Sequence, residues 1–123
     1  MKESLLREKS KNFAKEIITT AHYLKKLRFD YALADQILRS GTSIGANIFE
    51  AQYAPTTKDF INKLTISQKE CHETLYWLEL LYETSQIDAE TYHRLQSECV
   101  SIQKILSASV KTARSNMQSP NSQ

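Results

Sequence analysis

The chain has 123 residues, of which 41% are hydrophobic and 24% are charged, and its formal net charge is +2. This composition favours one soluble globular domain over a disordered or membrane protein. Only two Gly and two Pro occur, which excludes folds that need many tight turns, such as β-sandwiches, barrels and propellers. Because Lys2, Glu3 and Arg7 interrupt any signal-type apolar stretch, we expect a cytoplasmic protein that has no membrane partner.

Apolar residues recur at helical spacing in four segments, which predicts four long helices. The first, at about 4–27, has an inward side formed by Leu6, Phe13, Ile17, Thr20, Leu24 and Leu27. Asp30 is a suitable cap for the second helix, at about 31–52. The inward stripe of this helix consists of Leu33, Ile37, Gly41, Ile44, Ile48 and Ala51.

Turn and capping residues separate the second half of the chain into two more helices. Pro55 ends the second helix, and Thr56 to Asp59 has the spacing of a capping box that opens a third helix, which runs to about Thr84. Asp88 caps the fourth helix, whose inward residues are Tyr92, Leu95, Cys99, Ile102, Leu106, Ser109 and Ala113. We expect a bundle at 1–114 and a flexible tail at 115–123.

The connections between the helices are too short to carry the chain back along a helix. Neighbouring helices are therefore antiparallel, and the sequence predicts an all-α, up-down-up-down four-helix bundle. Gly41 and Gly45 lie one turn apart in the second helix, where each costs about 0.8–1 kcal/mol relative to alanine. We interpret them as a site of close helix packing, since the strand and lysine of a phosphate-binding loop are missing around them.

The end of the third helix is apolar almost all the way round, although a bundle helix needs only one apolar stripe. Because a surplus apolar face must be covered, it predicts a homo-oligomer. The residues that we expect in the interface between subunits are Leu75, Tyr76, Trp77, Leu80 and Tyr82.

Two blocks of sequence are specific enough to compare with known proteins. The segment at 36–51 in the second helix reads QILRSGTSIGANIFEA. It resembles the second-helix signature of a family of small bacterial four-helix-bundle proteins, some of which are encoded in intervening sequences of large-subunit ribosomal RNA genes. A similar match to its third helix is formed by Lys58, Asp59, Phe60, Lys63, Leu64, Ile66, Lys69, Glu70, Glu73, Thr74, Tyr76, Trp77 and Leu78. Phe49 stands where the family usually has a smaller residue, and Ser67 where it has alanine.

The resemblance implies a four-helix subunit that assembles into a homopentamer. A more distant relative is the accessory variability determinant of diversity-generating retroelements, a basic pentamer that works with a reverse transcriptase and nucleic acid. No catalytic activity is established for the ribosomal-insertion branch, so the resemblance implies no mechanism.

Candidate catalytic and metal sites lack required members. A di-metal bundle needs two Glu-x-x-His motifs, and the chain offers Glu90 with His93 alone, besides Glu50, Glu70 and Glu73. Cys71 and His72 are adjacent on a helix and point about 100° apart, so they cannot form a nucleophile pair. We expect Cys71 and Cys99 to be reduced core residues, and we expect neither an enzyme nor a bound cofactor or metal.

Polar residues on the second and third helices have two interpretations. The preferred one is a structural network that fixes helix register or subunit orientation. Its residues are Arg39, Asn47, Glu50, Lys69, Glu70 and Glu73, with Lys63 as a further cation. The other interpretation is a small-ligand or catalytic pocket.

Positive charge is concentrated in the first helix, since residues 1–28 contain eight Lys or Arg and three Glu. One arc of about 100° holds Arg7, Lys11, Lys15, His22, Lys25 and Lys26, interrupted by Glu8 and Ile18. This arc is either an ordinary solvated face or a surface that binds the phosphates of RNA or other nucleic acid. The alternative function is a protein–protein interaction adaptor that does not bind nucleic acid.

Overall fold

Four α-helices make up the part of the chain that the computed structural model describes, which is residues 2–27 and 31–118, with side chains from Leu5 onward. The helices are α1 (Lys2–Lys26), α2 (Tyr31–Ala51), α3 (Thr57–Glu83) and α4 (Ala89–Gln118). No strand occurs in these ranges. Consecutive helices pack against each other, and α4 also packs against α1, so that they enclose one core. The predicted all-α four-helix bundle is confirmed.

Side-chain caps set the starts of α3 and α4. The Thr56 hydroxyl accepts the Asp59 backbone N–H at 3.1 Å and donates to the Asp59 carboxylate at 2.7 Å. The Asp88 carboxylate accepts the Thr91 backbone N–H at 2.7 Å, and this hydrogen bond lowers the pKa of Asp88. Both predicted caps are confirmed, whereas the third, Asp30, lies outside the described residues.

The core consists of the inward stripes predicted for α1, α2 and α4, in which Leu33, Tyr92, Ser109 and Ala113 are half-buried, and of a stripe of α3 for which no inward residues were predicted. The largest fully buried side chains come from all four helices: Leu6, Phe13, Ile17, Leu24, Ile37, Ile44, Leu64, Leu78, Leu81, Leu95, Ile102 and Leu106. Leu27 was predicted to face inward, and this prediction is wrong, because its side chain is 44% exposed. It follows the last residue of α1 and lines a surface groove together with Tyr23 and Tyr82, outside the core.

The glycine pair in α2 lies where α1 approaches. A Cβ atom on Gly41 would lie 2.8 Å from Cγ2 of Ile17, closer than packed carbon atoms tolerate. A Cβ on Gly45 would lie 3.4 Å from the Ser10 carbonyl oxygen, which is ordinary contact. The predicted close packing is confirmed, and Gly41 is the position that requires it.

The fourth helix runs on to Gln118, past the predicted bundle boundary at residue 114. Residues 115–118 of the predicted tail are therefore helical, and 119–123 lie outside the described residues. None of the described helices combines the length and hydropathy needed to cross a lipid bilayer.

The two cysteines are buried and unpaired by any disulfide, as predicted. The Cys99 thiol donates a hydrogen bond to the Cys71 carbonyl oxygen at 3.6 Å. The interaction of the Cys71 thiol with the Cys99 thiol, followed by burial, raises the pKa of Cys71 far above its ordinary value. Cys71 therefore stays a neutral thiol and packs as a small hydrophobic residue.

Candidate nucleic-acid interface

The basic face of α1 is directed to solvent. We use this name for Arg7, Lys11, Lys15, His22, Lys25 and Lys26. Lys25 is half-buried and pairs with Asp35 of α2, whereas the other five are exposed. Within the described residues, Arg7, Lys11, Lys15 and Lys26 form no ion pair. Their charges are therefore not neutralised inside the subunit.

A groove of about 620 Å³ runs beside this face, between α1 and α2. Its lining comprises Arg7, Glu8, Ser10, Lys11, Ala14, Thr42, Gly45, Ala46 and Phe49. Phe49 is 54% exposed, and its ring lies 5.4 Å from the ring of Tyr53, which is 72% exposed. The lining of the groove thus includes an accessible aromatic ring and two cations that form no ion pair within the described chain.

The sequence did not identify Phe49 as part of this surface. Which residue of α2 flanks the basic face depends on how the two helices are rotated about their axes, and one helical stripe does not reveal this. A signal was nevertheless present, because Phe49 replaces a smaller residue of the resembled family at an outward position of the helix.

The predicted polar network is divided into separate contacts between α2 and α3. Arg39 bridges Glu70, at 3.3 Å from Nη1 to Oε1, and Glu73, which also accepts the Trp77 indole N–H at 3.0 Å. Lys63 pairs with Glu50 at 2.7 Å. Asn47 and Lys69 stand outside both groups, since the Asn47 amide donates to the Ser43 carbonyl of its own helix and Lys69 is exposed without an ion pair in the described chain.

Buried hydroxyl groups form a further α2–α3 connection that the sequence analysis did not single out. The Ser67 hydroxyl donates to the Ile44 carbonyl oxygen at 2.8 Å, and the Thr74 hydroxyl lies 2.8 Å from that of Ser40. Ser67 and Thr74 occupy the heptad positions between Leu64, Cys71 and Leu78, so the spacing in the sequence could have predicted that both face the core. Such satisfied buried groups fix the register of two helices.

The apolar end of α3 is partly used within the subunit. Leu75 and Trp77 are half-buried against the core, and Leu80 is half-buried as well. Tyr76 is 54% exposed, and Tyr82 stacks on Tyr92 with ring centroids 4.5 Å apart. Tyr76 is therefore the large aromatic residue of this set that the subunit leaves most open.

The residues considered for metal binding and nucleophilic chemistry are not assembled into a site. Glu90 and His93 are exposed on α4. Within residues 5–27 and 31–118, no three His, Cys, Asp or Glu side chains are grouped as metal ligands. Cys71 is buried while His72 is exposed and lies near Gln103, at 3.4 Å, so the two neighbours face different surroundings.

A carboxyl pair lies between α1 and α4. Arg94 Nε donates to Glu16 Oε1 at 3.0 Å, and one carboxyl oxygen of the nearby Glu98 is buried without a hydrogen-bond partner. Burial and the neighbouring Glu16 carboxylate raise the pKa of Glu98 to about 7, against the opposing charges of Arg94 and Lys9. Glu98 therefore retains a proton in the folded chain at a pH where an ordinary carboxyl is ionised.

Replacing Glu98 by glutamine should remove a pH dependence of stability. Since the folded state holds the Glu98 proton up to about pH 7, the free energy of unfolding falls as pH rises from the ordinary value of 4.5 toward 7 and stays low above it. After discounting for solvent screening, we expect Glu98→Gln to gain on the order of 1 kcal/mol at high pH and little at low pH. Urea unfolding of the wild type and the variant below pH 4.5 and above pH 7 measures this difference in stability. The control is Glu79→Gln on the exposed face of α3. Equal effects of Glu98→Gln at the two pH values would contradict the assignment.

Comparison with known proteins places this bundle among its relatives. No curated protein sequence matches the chain. A crystal structure of a protein with unknown function from the S23 ribosomal protein family of Bacteroides thetaiotaomicron is similar, with 44% sequence identity and a TM-score of 0.88. The match covers 90% of this chain and 99% of that one. The sequence model of the 23S rRNA-intervening sequence protein family matches residues 2–108. The chain therefore belongs to the 23S rRNA-intervening sequence protein family.

Proposed function

We propose that this protein is a non-enzymatic homopentameric scaffold that binds RNA or other nucleic acid through the basic face of α1. The observation that carries the proposal is the exposure of Arg7, Lys11, Lys15 and Lys26 without acidic partners in the described chain. Cations held on a rigid helix neutralise phosphates without an ordering cost in the backbone. From Arg7 to Lys26 the face extends about 28 Å at the rise of an α-helix.

The binding we propose is mainly electrostatic and reads bases weakly. The basic face carries few Asn or Gln side chains that could hydrogen-bond to base edges. Its cations contact phosphates, which are the same in every sequence. A structured RNA is the first nucleic acid to test, because its phosphates are held in a fixed arrangement.

Oligomerisation multiplies this surface. The exposed Tyr76, beside the half-buried Leu80, supports self-association through α3, because a large exposed aromatic group favours an interface. Five copies would present five basic faces, so weak contacts in each subunit would add to a strong multivalent attachment.

Native mass spectrometry of the purified protein, before and after nuclease treatment and after addition of structured RNA, tests both parts of the proposal. We expect a pentamer that carries RNA or acquires it on addition, because the interface and the basic face lie on different helices. A monomer at micromolar concentration would refute the oligomer. A pentamer that never retains nucleic acid would favour the protein–protein adaptor.

A further inference from the structure

We infer that the groove between α1 and α2 binds one nucleotide unit of unpaired RNA, with its base stacked on Phe49 and its phosphate held by Arg7 and Lys11. This inference rests on the proposed function and adds a specific ligand conformation to it. The basic face by itself distinguishes poorly between paired and unpaired strands, whereas a groove with an aromatic wall recognises a base that is not stacked in a duplex.

The shape of the groove suits a small planar ligand. Its volume of about 620 Å³ falls within the range typical of small-molecule sites, roughly 300–1,000 Å³. Ala14 and Ala46 are in its lining and have only a methyl side chain, so a ligand can approach the helix backbones there.

Packing within the described chain leaves the ring of Phe49 largely uncovered. Its side chain is 54% exposed, and the aromatic ring it contacts, that of Tyr53, is even more exposed. An exposed phenyl ring at the edge of a groove offers a face on which any of the bases can stack. Stacking of this kind is tolerant of sequence, which agrees with the weak base readout proposed above.

The charge of the groove complements a phosphate. Arg7 and Lys11 line it, and neither forms an ion pair within the described chain. Glu8 also belongs to the lining, so its two cations exceed its one carboxylate. A guanidinium and an ammonium group beside an aromatic ring match the phosphate and base of one nucleotide.

Binding of short RNA by the intact protein at low salt tests the site. The probes are a single-stranded oligoadenylate and a duplex RNA of mixed sequence. We expect Phe49→Ala to weaken oligoadenylate binding about tenfold and to leave duplex binding within about twofold. Phe49→Trp should restore the oligoadenylate affinity. The control is Tyr31→Ala, which removes a similarly exposed ring of α2 that lies outside the groove and should change neither affinity.

A groove-filling variant provides a second measurement that does not depend on Phe49. Ala46 lines the groove and is exposed, so Ala46→Leu should fold normally and should weaken oligoadenylate binding selectively.

The remaining outcomes separate this site from the proposed function. If Phe49→Ala weakens both RNAs equally or neither, the nucleotide site is refuted while phosphate binding by the basic face stands. If Phe49→Ala dissociates the oligomer, the groove is an interface between copies of the chain and the inference is overturned. If the wild-type protein binds neither RNA, the proposed function itself fails.

Discussion

Replacing Lys11, Lys15 and Lys26 together by glutamate should abolish nucleic-acid binding while helicity and subunit number stay unchanged. All three side chains are exposed and make no ion pair in the described chain, so their replacement leaves no buried group unpaired. Each change replaces an attraction to phosphate by a repulsion. We expect affinity at low salt to fall by more than about 100-fold. Fluorescence anisotropy measures the loss, and circular dichroism with native mass spectrometry verifies the fold and assembly.

A matched variant separates the effect of charge on the basic face from the effect of the net charge of the protein. Lys58, Lys104 and Lys111 are also exposed but lie on α3 and α4, so their replacement by glutamate changes the net charge equally. This control should retain most of the affinity. In the wild type, the logarithm of affinity should fall with the logarithm of salt by about 0.9 per phosphate contacted in duplex DNA and about 0.7 in single strands. Equal affinities of the two triple variants would assign the basic face to ordinary solvated surface.

The sequence contained most of what determines the fold because helical periodicity is local. Thr56 and Asp88 cap their helices through contacts within one turn, and the stripe from Leu95 to Leu106 needs only the period of one helix. The sequence also indicated which side of α2 a neighbouring helix approaches closely, since two glycines in a helix interior need a packing reason, although only the structure identifies that helix as α1.

The candidate site was less accessible because it depends on contacts between helices. The basic face follows from α1 alone, but its neighbour Phe49 follows only from the rotation of α2. The pairing of Glu16 with Arg94 likewise joins residues 78 positions apart. For the polar network, the alternation of positive and negative residues in the sequence predicted one cluster. In the structure, Arg39 reaches Glu70, whereas Glu50 and Lys63 form a separate pair.

The two glycines of α2 should respond differently to alanine. Alanine in place of either glycine favours the helix by about 0.8–1 kcal/mol. At Gly41 the new Cβ would lie 2.8 and 2.9 Å from the two γ-carbons of Ile17. Ile17 is fully buried and β-branched, so it cannot rotate away, and such overpacking costs typically 1–3 kcal/mol. Gly45→Ala meets ordinary contact distances and keeps the helical gain.

We therefore expect Gly41→Ala to lower the free energy of unfolding by up to about 2 kcal/mol and Gly45→Ala to leave it unchanged or to raise it by up to about 1 kcal/mol. Urea unfolding at one fixed protein concentration measures both, since assembly makes apparent stability depend on concentration. The Ile17→Ala background supplies the decisive comparison, because it removes the γ-carbons that the new methyl group meets. There, Gly41→Ala should become neutral or stabilising. If Gly41→Ala still lowers the free energy of unfolding in that background, close approach of α1 is not the reason why position 41 requires glycine.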